Sequence, residues 1–165
     1  MKIILTLFLT MAIAMAAEAQ QALDFAKKFM TMYEGDSMVK CITVSPKMME
    51  QIAEHHPFEE GNTDAFKQAV SKLKSARIVN APANYYERAE LLLKKHARRF
   101  KAEDNFENDK FRGSFYTRKN RKGQTVELIM LREDNVRETM TIVCLTGDID
   151  KEFLCFLYNN KSFKD

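Results

Sequence analysis

Glycine is scarce in this chain, with five in 165 residues at positions 35, 61, 113, 123 and 147, and no two are close enough to build a phosphate-cradling loop. That spacing excludes the GxGxxG dinucleotide turn and the P-loop. A GxSxG elbow, an HExxH pair and a CxxC pair are equally missing, so a nucleophilic triad, a zinc helix and a dithiol site have no linear support. Cysteine is limited to Cys41, Cys144 and Cys155. Three are too few for a disulfide framework and allow at most one bridge plus one free thiol. Each lies in an apolar run, where cysteine behaves as a small buried hydrophobe, so core positions are expected, with one disulfide between two of them as the alternative. A strong charge of one sign is also missing: 26 Lys and Arg face 23 Asp and Glu, a net charge of +3. That balance falls far short of a dedicated nucleic-acid binder, and no nucleic acid is expected among the partners.

Long apolar runs are missing everywhere except at the start. Lys2 is followed by an apolar stretch from Ile3 to Ala17, interrupted only by Thr6 and Thr10, and then by the small-x-small pattern Ala17-Glu18-Ala19. This pattern predicts a signal peptide over residues 1–19, cleaved to leave Gln20 first. The run is about 15 residues, against the ~20 that a spanning helix needs. A lipid-anchored export signal would place a cysteine at the cleavage point, and the nearest is Cys41. The expected product is therefore periplasmic or secreted, soluble after cleavage and without an integral membrane segment. Removing 19 residues from 165 leaves 146, a length that suits a single domain, residues 20–165, around one core.

What is present reads as an α+β domain. Ala22, Ala26, Phe29, Met30 and Tyr33 recur at helical spacing before Gly35 stops them. Met38 to Val44 reads as a strand ending at Ser45-Pro46, where Ser45 caps a Met-rich helix carrying Met48, Met49 and Ile52. His55 to Asn62 reads as a loop, Thr63 opens a helix with Phe66, Ala69, Val70 and Leu73 inward, and Ala76 to Val79 forms a short strand. Asn80-Ala81-Pro82 is expected to turn the chain. A longer helix follows from Asn84 to Arg99, with Tyr86, Ala89, Leu93, Ala97 and Phe100 inward. Lys101 to Lys110 is charged and weakly patterned, and reads as an exposed connection. Phe111 to Arg118, Thr125 to Arg132 and Glu138 to Thr146 form an antiparallel meander, with turns at Lys119 to Gly123 and at Asp134-Asn135. Met140 to Leu145 is apolar on both faces, the mark of a central strand. Asp148 or Asp150 caps a closing helix with Phe153, Leu154, Phe156 and Leu157. The sum is a sheet of about five strands, including a C-terminal three-stranded antiparallel meander, covered by four or five helices.

Several landmarks together resemble the DUF4252 family of Bacteroidota envelope proteins. They are the export signal, the run Cys41-Ile42-Thr43-Val44-Ser45-Pro46-Lys47-Met48-Met49, the run Phe115-Tyr116-Thr117-Arg118 leading into Glu127-Leu128-Ile129-Met130-Leu131, and above all Leu145-Thr146-Gly147-Asp148-Ile149-Asp150. The resemblance spans nearly all of the mature chain. It implies compartment and architecture, and it brings no catalytic residue because the family's function is unknown. Some members look like lipoproteins; this chain lacks the cysteine for that.

Candidate sites are weak by type and spacing. His55-His56 with Glu54, Glu59 and Glu60 offers imidazole and carboxylate, but on a loop that does not preorganise them. Asp148-Ile149-Asp150 begins like a calcium loop and lacks the alternating oxygens that follow in one; helix capping explains it better. The acidic cluster Glu103, Asp104, Glu107 and Asp109 has nothing expected to raise a carboxyl pKa. No metal, cofactor or catalytic residue is therefore expected. Two basic groups remain: Lys94, Lys95, Arg98, Arg99 and Lys101 on and after the long helix, and Arg118, Lys119, Arg121 and Lys122 at the first hairpin. Either is an ordinary solvated face; if they converge, they attract an anionic ligand, lipid head group or acidic protein surface. The expected function is an exported, non-catalytic binding or interaction module with an envelope protein or anionic ligand as its partner. The alternative is a small envelope enzyme whose site has no linear motif.

Overall fold

The computed structural model describes residues 23–55 and 63–154. The expected leader, His56, Glu59 and Glu60 of the histidine loop, and Cys155 lie outside them. The chain runs α1 (Phe25–Met32), β1 (Lys40–Val44), α2 (Pro46–His55), α3 (Thr63–Ser71) and β2 (Leu73–Pro82). A 3-10 turn (Ala83–Tyr85) then leads to α4 (Tyr86–Lys95), β3 (Lys101–Glu107), β4 (Phe111–Lys119), β5 (Thr125–Asp134) and β6 (Thr139–Gly147). Residues 151–154 are helical again. The six strands form one open antiparallel sheet in the order β1-β2-β6-β5-β4-β3.

Strand alternation divides the core between the two sheet faces. On one face α1 (Phe25, Ala26, Phe29) and α4 (Tyr86, Ala89, Leu92, Leu93) pack on Val79, Ala81, Tyr116, Ile129, Leu131, Met140, Ile142 and Cys144. Phe100 closes that layer edge-on against Phe25, with ring centroids 5.7 Å apart. On the other face Met49 of α2, Ala69 and Val70 of α3, and Ile149 and Phe153 cover Val44, Ala76, Phe115, Leu128 and Met130. The strand expected to be central is β6, between β2 and β5; its Met140, Ile142 and Cys144 are fully buried, while Thr141, Val143 and Leu145 are half-buried. Ser45 caps α2 as read, its hydroxyl accepting from Met48 N at 3.3 Å.

Leu73, expected on the helix opened by Thr63, begins β2 instead, and three further segments differ from expectation. Lys101 to Lys110 is largely a sixth strand, β3, at the sheet edge; its charged side chains stay in solvent and only Phe106 is buried, so its alternation is invisible in the sequence. Exposed charges of this kind keep an edge from pairing with another chain. Asn80-Ala81-Pro82 continues β2 instead of turning. Pro82 is tolerated because β1 pairs no further than Asn80, which leaves no partner on that side for the missing N–H. The long helix stops at Lys95, not Arg99, and residues 96–99 form turns held by Ala97 N to Lys94 O at 3.1 Å and Arg99 N to His96 O at 2.8 Å. Leu92 is buried and Ala97 exposed. The tighter turns bring Phe100 inward onto Phe25.

Candidate functional site

Topology carries both basic groups to one end of the sheet. The chain leaves α4 through Phe100 and enters β3 at Lys101, which is paired with Thr117, one residue before Arg118. Lys119 ends β4, and the hairpin beyond it is built by Asn120. Its side-chain oxygen accepts from Lys122 N at 2.9 Å and from Gln124 N at 3.0 Å, and Gly123 supplies the φ of +81° that the turn needs. The hairpin is thus fixed in shape while Arg121 and Lys122 stand in solvent.

The members differ in what their charge is free to do. Lys95, Arg98, Lys119, Arg121 and Lys122 are exposed, with no carboxylate partner among the described residues. Lys94 pairs with Glu90 at 2.9 Å, which raises its pKa. Lys101 reaches Glu103 at 3.4 Å. Arg99 is half-buried, donating to the carbonyl of Leu23 at 2.8 Å and lying 5.2 Å from the Phe100 ring centre. Arg118 is drawn out of the group, because its Nε donates to Glu127 Oε2 at 2.5 Å and the Glu127 side chain is fully buried.

Glu127 is the residue that sequence reasoning missed. Its Oε1 accepts from Phe25 N, the first N–H of α1, at 2.6 Å and from the Cys144 thiol at 3.3 Å. A carboxylate at a helix N-terminus satisfies an orphan donor and complements the helix dipole. Asp24 caps the same helix by accepting from Lys27 N at 2.8 Å and pairs with Arg77. Glu127, Arg118, Asp24, Arg77 and Arg99 therefore tie the start of α1 to the sheet. The signal for Glu127 was present: it shares a strand face with Ile129 and Leu131, where an acid is out of place unless it has partners.

Chemistry elsewhere is muted. Burial first, and then the Glu127 carboxylate, push the Cys144 thiol strongly upward; burial also raises Cys41. Neither holds the thiolate that a nucleophile needs, and both occur as free thiols. A recess of about 300 Å³ between α4, β3 and β4 is lined by Tyr86, Glu90, Glu107, Arg112 and Ser114. There Arg112 pairs with Glu133 and lies 4.6 Å from the Tyr86 ring centre, while burial raises the hydroxyls of Tyr86 and Tyr116. Tyrosines held upward in this way cannot exchange protons near neutrality. Among the described residues no three His, Cys, Asp or Glu side chains converge as metal ligands.

The run Leu145 to Asp150 is a structural corner. Gly147, at φ +149°, sits so close to the chain before β2 that a Cβ would fall 2.5 Å from Lys72 O. Asp148 N then donates to Lys72 O at 3.1 Å and Ile149 N to Thr125 O at 3.1 Å, while the Ile149 side chain is buried. Asp150 caps the last helical segment through Phe153 N at 2.8 Å and pairs with Lys72 at 2.6 Å. Comparison with known families matches residues 33–154 to a domain of unknown function (DUF4252). No curated protein and no solved structure matches the chain.

Proposed function

The chain belongs to the DUF4252 family, and from that premise we propose an exported, non-catalytic binding module of the bacterial cell envelope that docks an acidic partner protein on the basic end of its sheet. Export rests on the leader pattern of residues 1–19. Among the described residues no helix is long and apolar enough to cross a membrane, in keeping with a periplasmic or secreted product. The single observation that carries the binding role is the set Lys95, Arg98, Lys119, Arg121 and Lys122, whose exposed charges lack carboxylate partners among the described residues. A converged set of unpaired cations attracts and orients an anionic surface.

The test is crosslinking and co-purification from the native envelope with the wild type and with an Arg121→Glu, Lys122→Glu variant. Both side chains are exposed, so the variant should melt like the wild type. Its partner recovery should fall, and wild-type recovery should fall with salt as the Debye length shrinks from about 10 Å at 0.1 M to about 3 Å at 1 M. Recovery indifferent to both reversals and to salt rejects the basic end as the docking surface.

A further inference from the structure

At the opposite end of β4 and β5 a second concavity opens on the face carrying α2 and α3. It is a cavity of about 590 Å³ lined by Asn80, Lys110, Phe111, Arg132, Thr139 and Thr141, among others, within the size range of small-molecule sites. Two adjacent cross-strand rows build its floor. One runs Asn80, Thr141, Arg132, Gly113, and the next runs Thr139, Asp134, Phe111. Gly113 has no side chain beside Arg132, because the Phe106 ring occupies the space where a Cβ would stand. The guanidinium of Arg132 lies over the Phe111 ring at 3.7 Å from its centre. One face of the guanidinium is thus held by the ring, and its planar N–H edge is preorganised for a bidentate oxyanion.

The electrostatics agree with that geometry. Lys110, Arg132 and Arg137 face one lining carboxylate, Asp134. Its Oδ1 already accepts from Val136 N at 3.0 Å and Arg137 N at 2.8 Å, and its Oδ2 is 3.9 Å from Arg137 Nε. Neither Lys110 nor Arg132 has an ion-pair partner among the described residues. The far wall is polar and uncharged: Thr141 Oγ1 donates to Asn80 Oδ1 at 3.0 Å, which leaves the Asn80 amide N–H groups and the threonine oxygens for hydroxyl partners.

We propose that this cavity binds a small hydroxylated organic anion, a uronate or a sugar phosphate. Arg132 and Lys110 take its oxyanion, and Asn80, Thr139 and Thr141 take its hydroxyls. The site is separate from the basic end of the sheet, so each stands or falls alone. The experiment is isothermal titration of the protein purified after expression of the full chain, using glucuronate and glucose 6-phosphate, with neutral glucose and inorganic phosphate as controls. At least one of the two sugar anions should bind more tightly than either control. Arg132→Gln and, independently, Lys110→Gln at the exposed rim should each weaken that binding about tenfold, while Arg121→Gln leaves it unchanged. Whichever anion binds more tightly identifies the oxyanion. Saturation by neither anion, equal binding of glucose or inorganic phosphate, or affinity indifferent to both substitutions overturns the proposal.

Discussion

At the scale of single residues, the positions that matter most are those where the backbone or a buried charge leaves no slack. Gly147 combines a left-handed φ with a backbone contact on its Cβ side, the Lys72 carbonyl, which cannot rotate away as a side chain does. Gly147→Ala should therefore cost about 3 kcal/mol from strain and overlap together, lowering Tm by roughly 10 °C for a domain of this size. An unchanged melting curve would show that the corner relaxes. Glu127 is demanding for a different reason. Replacing it by Gln leaves an acceptor for Phe25 N but strips Arg118 of its counter-charge in a mostly buried setting. A loss of about 2–3 kcal/mol in denaturant unfolding is expected, with part recovered when Arg118→Met is added. If the double variant is no better than the single, the Arg118 pair is not the reason for the loss. These two residues also show what a sequence can tell. Gly147 stood out in the Leu-Thr-Gly-Asp-Ile-Asp run, yet its role depends on Lys72 and Leu73, which are distant in sequence and meet it only after β2 and β6 pair.

At the scale of elements, hydrophobic period made the meander, α1 and the central place of β6 readable, because each buries a full face or stripe; in α2 the pattern was looser, with Met49 buried and Met48 exposed. It failed where burial is one-sided or local. An edge strand such as β3 has one neighbour and shows solvent most of its side chains, so Phe106 alone carried its signal. The end of α4 was misjudged because tertiary demand for Phe100 at Phe25 outweighs continued helical bonding through residues 96–99. That end has a pH consequence. His96 Nε2 lies 2.5 Å from Lys28 Nζ, and its imidazole is held below the ordinary value of 6.5 by burial first, then by Lys28, Lys95 and Arg99. A base with a lowered folded pKa binds fewer protons folded than unfolded. Its stability contribution is therefore full above pH 6.5 and declines as pH falls through 6.5 toward the folded value. The carboxyls of Asp36 and Asp150, also held low by their hydrogen bonds to Tyr85 and Lys72, lose their contribution only as pH falls below 3.8. Tm measured between pH 8 and pH 5 should fall in the wild type and flatten in His96→Gln. Equal slopes in both would remove His96 as the cause.

At the scale of the whole molecule, both basic groups and their separation by an acidic segment were visible in the sequence. Their meeting at one sheet end was not, because it follows from the antiparallel pairing of β3 with β4. Nor could the sequence divide the cations into docked and free ones: Arg118 and Arg99 spend their hydrogen bonds on the start of α1, while Lys95, Arg98, Arg121 and Lys122 do not. This division bears on where the folded domain begins. Leu23 O is held by Arg99, Asp24 by Lys27 N and Arg77, and Phe25 N by Glu127, so three consecutive residues anchor α1 to distant parts of the sheet and to the end of α4. The proposed cleavage after Ala19 falls four residues before Leu23 and leaves every one of these anchors in the product. A chain beginning at Gln20 should therefore unfold in one cooperative transition, and intact-mass analysis of the exported protein should find that same start. A chain beginning at Phe25 loses the Asp24 cap, typically ~1 kcal/mol, together with the Arg77 pair and the Leu23 anchor. It should melt at a clearly lower temperature and lose amide-exchange protection in α1 before the rest of the domain. Equal melting of the two chains would show that the segment before Phe25 does not hold the helix, and that the Leu23 and Asp24 anchors are contacts without consequence for the fold.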